Sequence, residues 1–387
     1  MQRWRSWSFR ISDCRLRICK YYQMKFLFYL GHPAHFHLFR NVIKQLSAKG
    51  NEITVLIKKK DILEDLLIRS DIPYINILPE GRGDSKAGIG FGMIKRDLRL
   101  FGFCIRNRPD ILVGTSAEIS HAGTLLRIPS IVVNEDDADV VPLFSKLSYP
   151  WSTCILSPSV CNNRKWEQKS IKYKGYHELA YLHPNHFTPD INLVKSYFPA
   201  EGPFFLIRFA KLSAHHDAGI RGITDELAAR IIEILEPEGR VLITSERSLD
   251  ERFEKYTISI NPLDIHHVMA FASIYIGDSQ TMAAEAGVLG TPFIRFNDFV
   301  GRIGYLEELE EKYELGFGIK PDDEEKLFST IRTLLDTPNL HGEWQKRRQR
   351  MLEDKIDVAA FMAWLFGGYP ESVKILKEDA GYQERFK

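Results

Sequence analysis

A chain of 387 residues with 44% apolar side chains is long enough for two domains, each with a core of its own. Its 52 lysines and arginines balance 51 aspartates and glutamates, which leaves no global basic field to attract nucleic acid and no acidic excess. No run approaches the roughly 18 apolar residues of a spanning helix, and five cysteines without a C-x-x-C pair argue against a disulfide framework or a structural zinc site and fit a reducing cytoplasm.

Residues 1–23 carry Arg3, Arg5, Arg10, Arg15, Arg17 and Lys20 against Asp13 alone, with Trp4 and Trp7. They read as a poorly ordered basic extension; a membrane-surface arm is the other reading. Met24 to Leu30 is a buried-strand pattern, Gly31 to His37 a short loop, and an amphipathic helix follows to Lys49-Gly50 before a strand at Glu52 to Ile57. In such a βαβ unit the loop lies at the carboxyl end of the first strand, where ligand crevices form. It holds His32, His35 and His37. No carboxylate or cysteine accompanies them at ligand spacing, so no metal site is assigned; an imidazole there suits proton transfer from a hydroxyl, or else capping and packing of the helix.

The βα rhythm continues through a strand at Tyr74 to Leu78, a glycine-rich loop from Gly81 to Gly92, a helix from Met93 to Asn107 and a strand at Ile111 to Val113. Loops after Val113 and Val133 place Glu118, His121, Asn134 and Glu135 toward the same cleft as acid–base or hydrogen-bonding candidates, although Asn134 to Asp139 also fits a solvated turn. After Tyr173 to His183, the proline-punctuated stretch 184–203 reads as a linker and hinge. Phe204 to Arg208 restarts the pattern. Arg208 is the foremost cationic donor for a diphosphate, with Lys211, His215, His216 and Asp217 in the same loop and Ser245 and Arg247 after the next strand. Helices are expected at Asp225 to Leu235, Asp264 to Phe271 and Asp322 to Leu335.

The densest motif is Gly277-Asp-Ser-Gln-Thr-Met-Ala-Ala-Glu-Ala-Gly-Val-Leu-Gly-Thr-Pro292. Gly277, Asp278 and Ser279 break a buried strand, and Ser279 or Thr281 caps a helix whose free amides and positive dipole end favour an anion. Glu285 lies one turn beyond Thr281, where it suits a ribose diol or simply a solvated helix face. Small-residue turns after strands are common in parallel α/β proteins, so the motif by itself is weak.

The segment resembles the carboxyl-half motif of the GT-B glycosyltransferase superfamily, in Glu285-Ala286, Val288-Leu289 and Gly290-Thr291-Pro292. His35 and Gly50 keep the interval of that superfamily's first loop and helix. The sequences His-Pro-Ala-His at 32–35 and Tyr-Lys-Gly-x-x-Glu-Leu-Ala-Tyr at 173–181 resemble an uncharacterised GT-B-like family related to UDP-N-acetylglucosamine 2-epimerases. The resemblance implies an α/β fold of two facing Rossmann-like parallel-sheet domains, 24–183 and 204–342, with helices in 343–387 crossing back. It implies that Gly277, Asp278, Ser279, Gln280 and Thr281 meet a pyrophosphate and Glu285 a ribose, and that His35 is the base, with His32 and His37 as competitors. The substrates implied are a nucleoside-diphosphate sugar, uridine-linked, and a hydroxyl acceptor of surface-polysaccharide or cell-envelope synthesis, with no metal or other cofactor, in the cytoplasm or on the inner membrane face. Gln280-Thr281 replace paired glycines of many relatives. Thr115 and Asn134 stand where the epimerases carry acids, which disfavours epimerisation; nucleotide-sugar binding without turnover is the third alternative.

Overall fold

The computed structural model describes residues 23–58, 62–78, 86–210 and 221–387. Two parallel sheets organise the chain. The first has β1 (Lys25–Leu30), β2 (Glu52–Lys58), β3 (Ile75–Leu78), β4 (Ile111–Gly114), β5 (Ser130–Val133), β6 (Cys154–Pro158) and β7 (Ser170–Tyr173), in the order β3-β2-β1-β4-β5-β6-β7. The second has β8 (Phe204–Phe209), β9 (Arg240–Ser245), β10 (Ile274–Gly277), β11 (Phe293–Phe296) and β12 (Gly316–Ile319), in the order β12-β11-β10-β8-β9. Both are covered by helices, which is why β1, β4, β5 and β10 read as continuous apolar runs and not as alternating ones.

Strand order locates the site. In the first sheet the winding reverses between β1 and β4, and in the second between β8 and β10; a crevice opens beyond the carboxyl ends of the strands at each reversal. The start of the helix after β1 therefore holds His35, and the loops after β4, β8 and β10 hold Thr115, Ala210 and Asp278, at the two crevices; that helix begins at Pro33, so the expected loop from Gly31 to His37 is corrected to Gly31-His32.

The first lobe carries helices α1 (Pro33–Ala48), α2 (Leu63–Arg69), α3 (Lys86–Asn107), α4 (Ala117–Leu126) and α5 (Pro142–Ser148). The expected helix start at Met93 is corrected: α3 begins at Lys86, so Gly88, Gly90 and Gly92 lie inside a helix, while Gly81 and Gly83 fall outside the described residues. Extending an existing helix gains one hydrogen bond per residue, and a glycine costs only about 1 kcal/mol against alanine. The stretch between the sheets contains α6 (Ile191–Tyr197), whose N-cap Asp190 accepts from the Asn192 amide at 2.8 Å.

In the second lobe α7 (Asp225–Leu235), α8 (Ile265–Phe271), α9 (Gln280–Leu289), α10 (Gly304–Glu307) and α11 (Glu324–Leu335) surround the sheet. Next, α12 (Leu340–Asp354) docks on it, with Trp344 Nε1 donating to the Leu315 carbonyl at 2.7 Å. Then the chain returns to the first lobe: α13 (Val358–Gly367) packs on α1, bringing Phe366 to 6.4 Å from Phe28 and Phe361 to 5.9 Å from Tyr173 between ring centres. Beyond α13, Gln383 Oε1 accepts from the Lys174 amide at 2.7 Å. Among the described residues no helix is long and apolar enough to cross a membrane, and Cys104, Cys154 and Cys161 are buried and unbridged. The basic segment 1–22 lies outside the described residues.

Candidate functional site

The wall contributed by the first lobe is rich in buried titratable groups. His32 caps α1, its Nδ1 accepting the Ala34 amide at 3.2 Å, and its ring lies 5.9 Å from that of His35. His35 accepts the Gly31 amide on Nδ1 at 3.1 Å, and the Thr115 hydroxyl reaches its ring nitrogens at 2.7 and 2.6 Å. A backbone N–H only donates, so Nδ1 is the bare nitrogen and the proton of the neutral ring sits on Nε2, toward Thr115. Burial, then the neighbouring charges of His32, Lys58 and His177, hold His35 well below the usual imidazole range. His35 is thus neutral and, in this arrangement, a donor.

Glu118 is buried against Arg96, joining α4 to α3. Burial would raise its carboxyl, but the Arg96 charge and hydrogen bond outweigh it and the net shift is downward. One turn on, His121 bridges Asp97 at 3.1 Å and the Leu147 carbonyl at 2.9 Å, tying α4 to α3 and α5. Asn134 is spent on its own turn, donating to the Asp136 carbonyl at 2.8 Å and the Tyr149 hydroxyl at 3.0 Å.

Glu135 instead turns inward. Its Oε2 accepts the His177 amide at 3.1 Å and its Oε1 lies 3.2 Å from His177 Nδ1. His177 Nε2 is shielded and has no partner. Next along the chain, Glu178 is fully buried with both carboxyl oxygens unpartnered, and burial followed by repulsion from Glu135 pushes it well above the usual carboxylate range. Burial therefore favours its neutral form.

The opposite wall is made of main chain. The helix α9 starts where expected, with Ser279 as N-cap accepting the Met282 amide at 3.4 Å, and ends at Gly290 with φ +76°, a left-handed conformation that favours glycine. The free amides of its first turn, including those of Gln280 and Thr281, open at the carboxyl end of β10. Gly277 lets the chain pass closely: a Cβ there would lie 2.5 Å from the Tyr275 hydroxyl and 3.0 Å from the Arg208 carbonyl. Asp278 accepts the Ala210 amide at 2.6 Å, and burial raises its carboxyl to about 6. Beside it lies a cavity of about 600 Å³ reached by Thr224, Arg247 and Phe296.

Two arginines flank Gly277 in register, Arg208 on β8 and Arg295 on β11. Arg208 Nη2 donates to Glu246 at 2.5 Å while its Nε is shielded without a partner. Arg295 is fully buried and donates through Nε to Glu310 at 2.9 Å. Arg247 is held by the Ile223 carbonyl and Asp225, and Ser245 by its own turn. Lys211, His215, His216 and Asp217 fall outside the described residues.

Glu285 connects the walls. It is buried, its Oε1 accepting from the Tyr181 hydroxyl at 2.8 Å and lying 2.9 Å from His266 Nε2, with the His37 ring 5.0 Å from that of His266. His37 is therefore packed between lobes, its Nδ1 without a partner. His177, Glu178, Tyr181, His266 and Arg295 escaped the sequence reading as site residues, although three of them lie inside the motif at 173–181. Among the described residues no group of three or more His, Cys, Asp or Glu side chains is placed to hold a metal ion.

Two parallel-sheet lobes with facing crevices define the GT-B fold class. The chain belongs to the family described as "Protein of unknown function (DUF354)", which matches residues 25–300. Among solved structures it is similar to MnaA from S. aureus in a co-structure with UDP, at 12% identity and TM-score 0.67, covering 91% of this chain and 98% of that one. It is also similar to the UDP-GlcNAc 2-epimerase of Neisseria meningitidis bound to UDP-GlcNAc, at 14% identity and TM-score 0.60 over 92% and 100% of the two chains. A third is the spinosyn forosaminyltransferase SpnP, at 14% identity and TM-score 0.56 over 87% and 97%. No curated protein matches the sequence. At these identities the likeness establishes the fold, and the reaction has to be argued from the site.

Proposed function

We propose that this protein is an enzyme of nucleoside-diphosphate sugars that transfers a uridine-linked sugar to a hydroxyl acceptor. The observation that carries this reading is the asymmetry of the cleft: capping amides and Arg208 on one wall, neutral imidazoles and carboxyls on the other. The first wall suits a diphosphate. Its amides and guanidinium are fixed before the reaction and oppose the charge that develops as the sugar–phosphate bond breaks. Ribose hydroxyls would take the place of the Tyr181 hydroxyl on Glu285, so that donor binding and lobe movement are linked. The second wall supplies proton transfer to the attacking hydroxyl, with inversion at the anomeric carbon. No metal is needed for these steps.

A second reading, epimerisation at C2 of a UDP-N-acetyl sugar, is favoured by one feature: half-buried Glu135 and buried Glu178 are carboxyls with raised proton affinity on the wall facing the sugar. Incubation with a panel of UDP-sugars separates the two. Transfer releases UDP only when an acceptor fraction is added; epimerisation interconverts free UDP-N-acetylglucosamine and its manno epimer with no UDP release. UDP binding without either change would leave only a binding role.

A further inference from the structure

We propose that the proton-accepting group of the cleft is Nε2 of His177, held in place by Glu135, and not the imidazole of the first loop. The proposal rests on the transferase reading and assigns its missing base. His35 cannot easily fill that role as placed. Its Nδ1 is spent on the Gly31 amide, so its other nitrogen carries the proton and has no lone pair to offer a hydroxyl. His177 has the opposite arrangement. Glu135 Oε1 lies 3.2 Å from its Nδ1, which makes Nδ1 the proton-bearing nitrogen when the carboxyl is ionised and leaves the Nε2 lone pair bare. That nitrogen is shielded and unpartnered, a costly state for a polar atom.

The two residues are held firmly. Glu135 follows β5, where its own carbonyl accepts the Cys161 thiol at 2.8 Å, and its Oε2 accepts the His177 amide, so backbone and side chain of His177 are fixed by one carboxyl. His177 sits where the chain leaves β7, close enough to His35 for its charge to be felt there. The group therefore stands beside the loop that a hydroxyl acceptor would enter.

The charged and titratable neighbours are Asp136, Glu178, Glu285, His35, Cys161, Tyr173, Tyr181 and Tyr305. Burial raises Glu135 well above the usual carboxylate range, reinforced by Asp136, and pushes His177 down to about 3. The base form, ionised Glu135 beside neutral His177, carries one negative charge that burial disfavours, so it is populated above the raised Glu135 range; taking the acceptor's proton returns the pair to zero net charge, which burial favours. The step balances accordingly. The acceptor oxygen bonds to the anomeric carbon and its proton passes to Nε2; the Nδ1 proton passes to Glu135; the bond from the anomeric carbon to the phosphate oxygen breaks, and its electron pair leaves with UDP. The proton is returned to water when the cleft opens.

The test uses the full chain with 15N-labelled histidine, and His177→Gln identifies the His177 signals by their loss. The expected result is an Nδ1-protonated, Nε2-bare ring at high pH that gains its proton at Nε2 as pH falls, with Glu135→Gln moving that transition to lower pH. In parallel, UDP binding is read by calorimetry and UDP release from UDP-sugars with an acceptor fraction. Both variants should bind UDP within about twofold of wild type and release it at least about 100-fold more slowly, and the acid limb of the Glu135→Gln profile should move down in pH. An Nε2-protonated His177 at every pH overturns the proposal, as does His177→Gln that binds and releases UDP like wild type. If wild type binds no UDP, the transferase reading falls while the ring spectrum still decides the pair; if Glu135→Gln fails to fold, the wild-type spectrum decides it, and if His177→Gln does, His177→Asn supplies the assignment.

Discussion

The two walls of the cleft are built from opposite materials. The second-lobe wall is a single stretch of sequence, Gly277 to Gly290, in which a strand end, an N-cap, a helix and a left-handed C-cap follow one another and present backbone amides. The first-lobe wall is assembled from four separate loops and presents side chains whose ionisation is displaced by burial. The difference is one of chemistry. Main-chain donors present a fixed dipole that suits an anion, whereas moving a proton needs groups that exist in two states of similar energy.

Four experiments sharpen or break this contrast, beginning with the largest effect. Glu118→Ala strands the buried Arg96 guanidinium in the first-lobe wall and should cost about 3–5 kcal/mol in denaturant unfolding. Because the folded Glu118 carboxyl is lowered relative to the unfolded one, its stabilisation is present above the unfolded value and lost as pH falls through the folded one; wild type and Glu118→Gln should therefore converge in stability under acid conditions. A parallel loss at all pH values would break the account. Glu285→Ala removes the acceptor of Tyr181 and the partner of His266 between the lobes, with an expected loss of about 1–3 kcal/mol and weaker UDP binding; unchanged affinity would remove Glu285 from the donor site.

Asp278 tests the other wall with the opposite sign. Its folded carboxyl is raised to about 6, so its contribution to stability is full below the unfolded value and is lost as pH rises through about 6. Asp278→Asn keeps an oxygen for the Ala210 amide and should raise the melting temperature at pH 8 relative to wild type, with a smaller gain at pH 5; equal gains would refute the assignment. The smallest effect is Ser279→Ala, which removes a long capping bond and should cost about 0.5–1 kcal/mol.

The same contrast explains what the sequence disclosed. The βα rhythm and the α9 motif were legible because each signal is local: an apolar run, a turn, a cap and a glycine within a few residues of one another. Glu135 and His177 are 42 residues apart and meet only because β5, β6 and β7 pair in parallel, which no local pattern records. Glu285 was readable as a helix residue, but its partner Tyr181 is 104 positions away. The three histidines after β1 drew attention by their spacing, yet the structure gives them three separate tasks, as cap, cleft donor and interlobe packing. The start of α3 is hidden for a different reason: its glycines read locally as breakers, but helix extension outweighs them.

The return of α13 to the first lobe bears on how the molecule is made. A growing chain completes β1 to β7 long before Val358 to Gly367 exist, so the patch around Phe28 and Tyr173 stays open to water until those late residues emerge and cover it. Synthesis pausing between the lobes would hold a sticky half-molecule, and chaperone demand should peak there and fall once α13 docks.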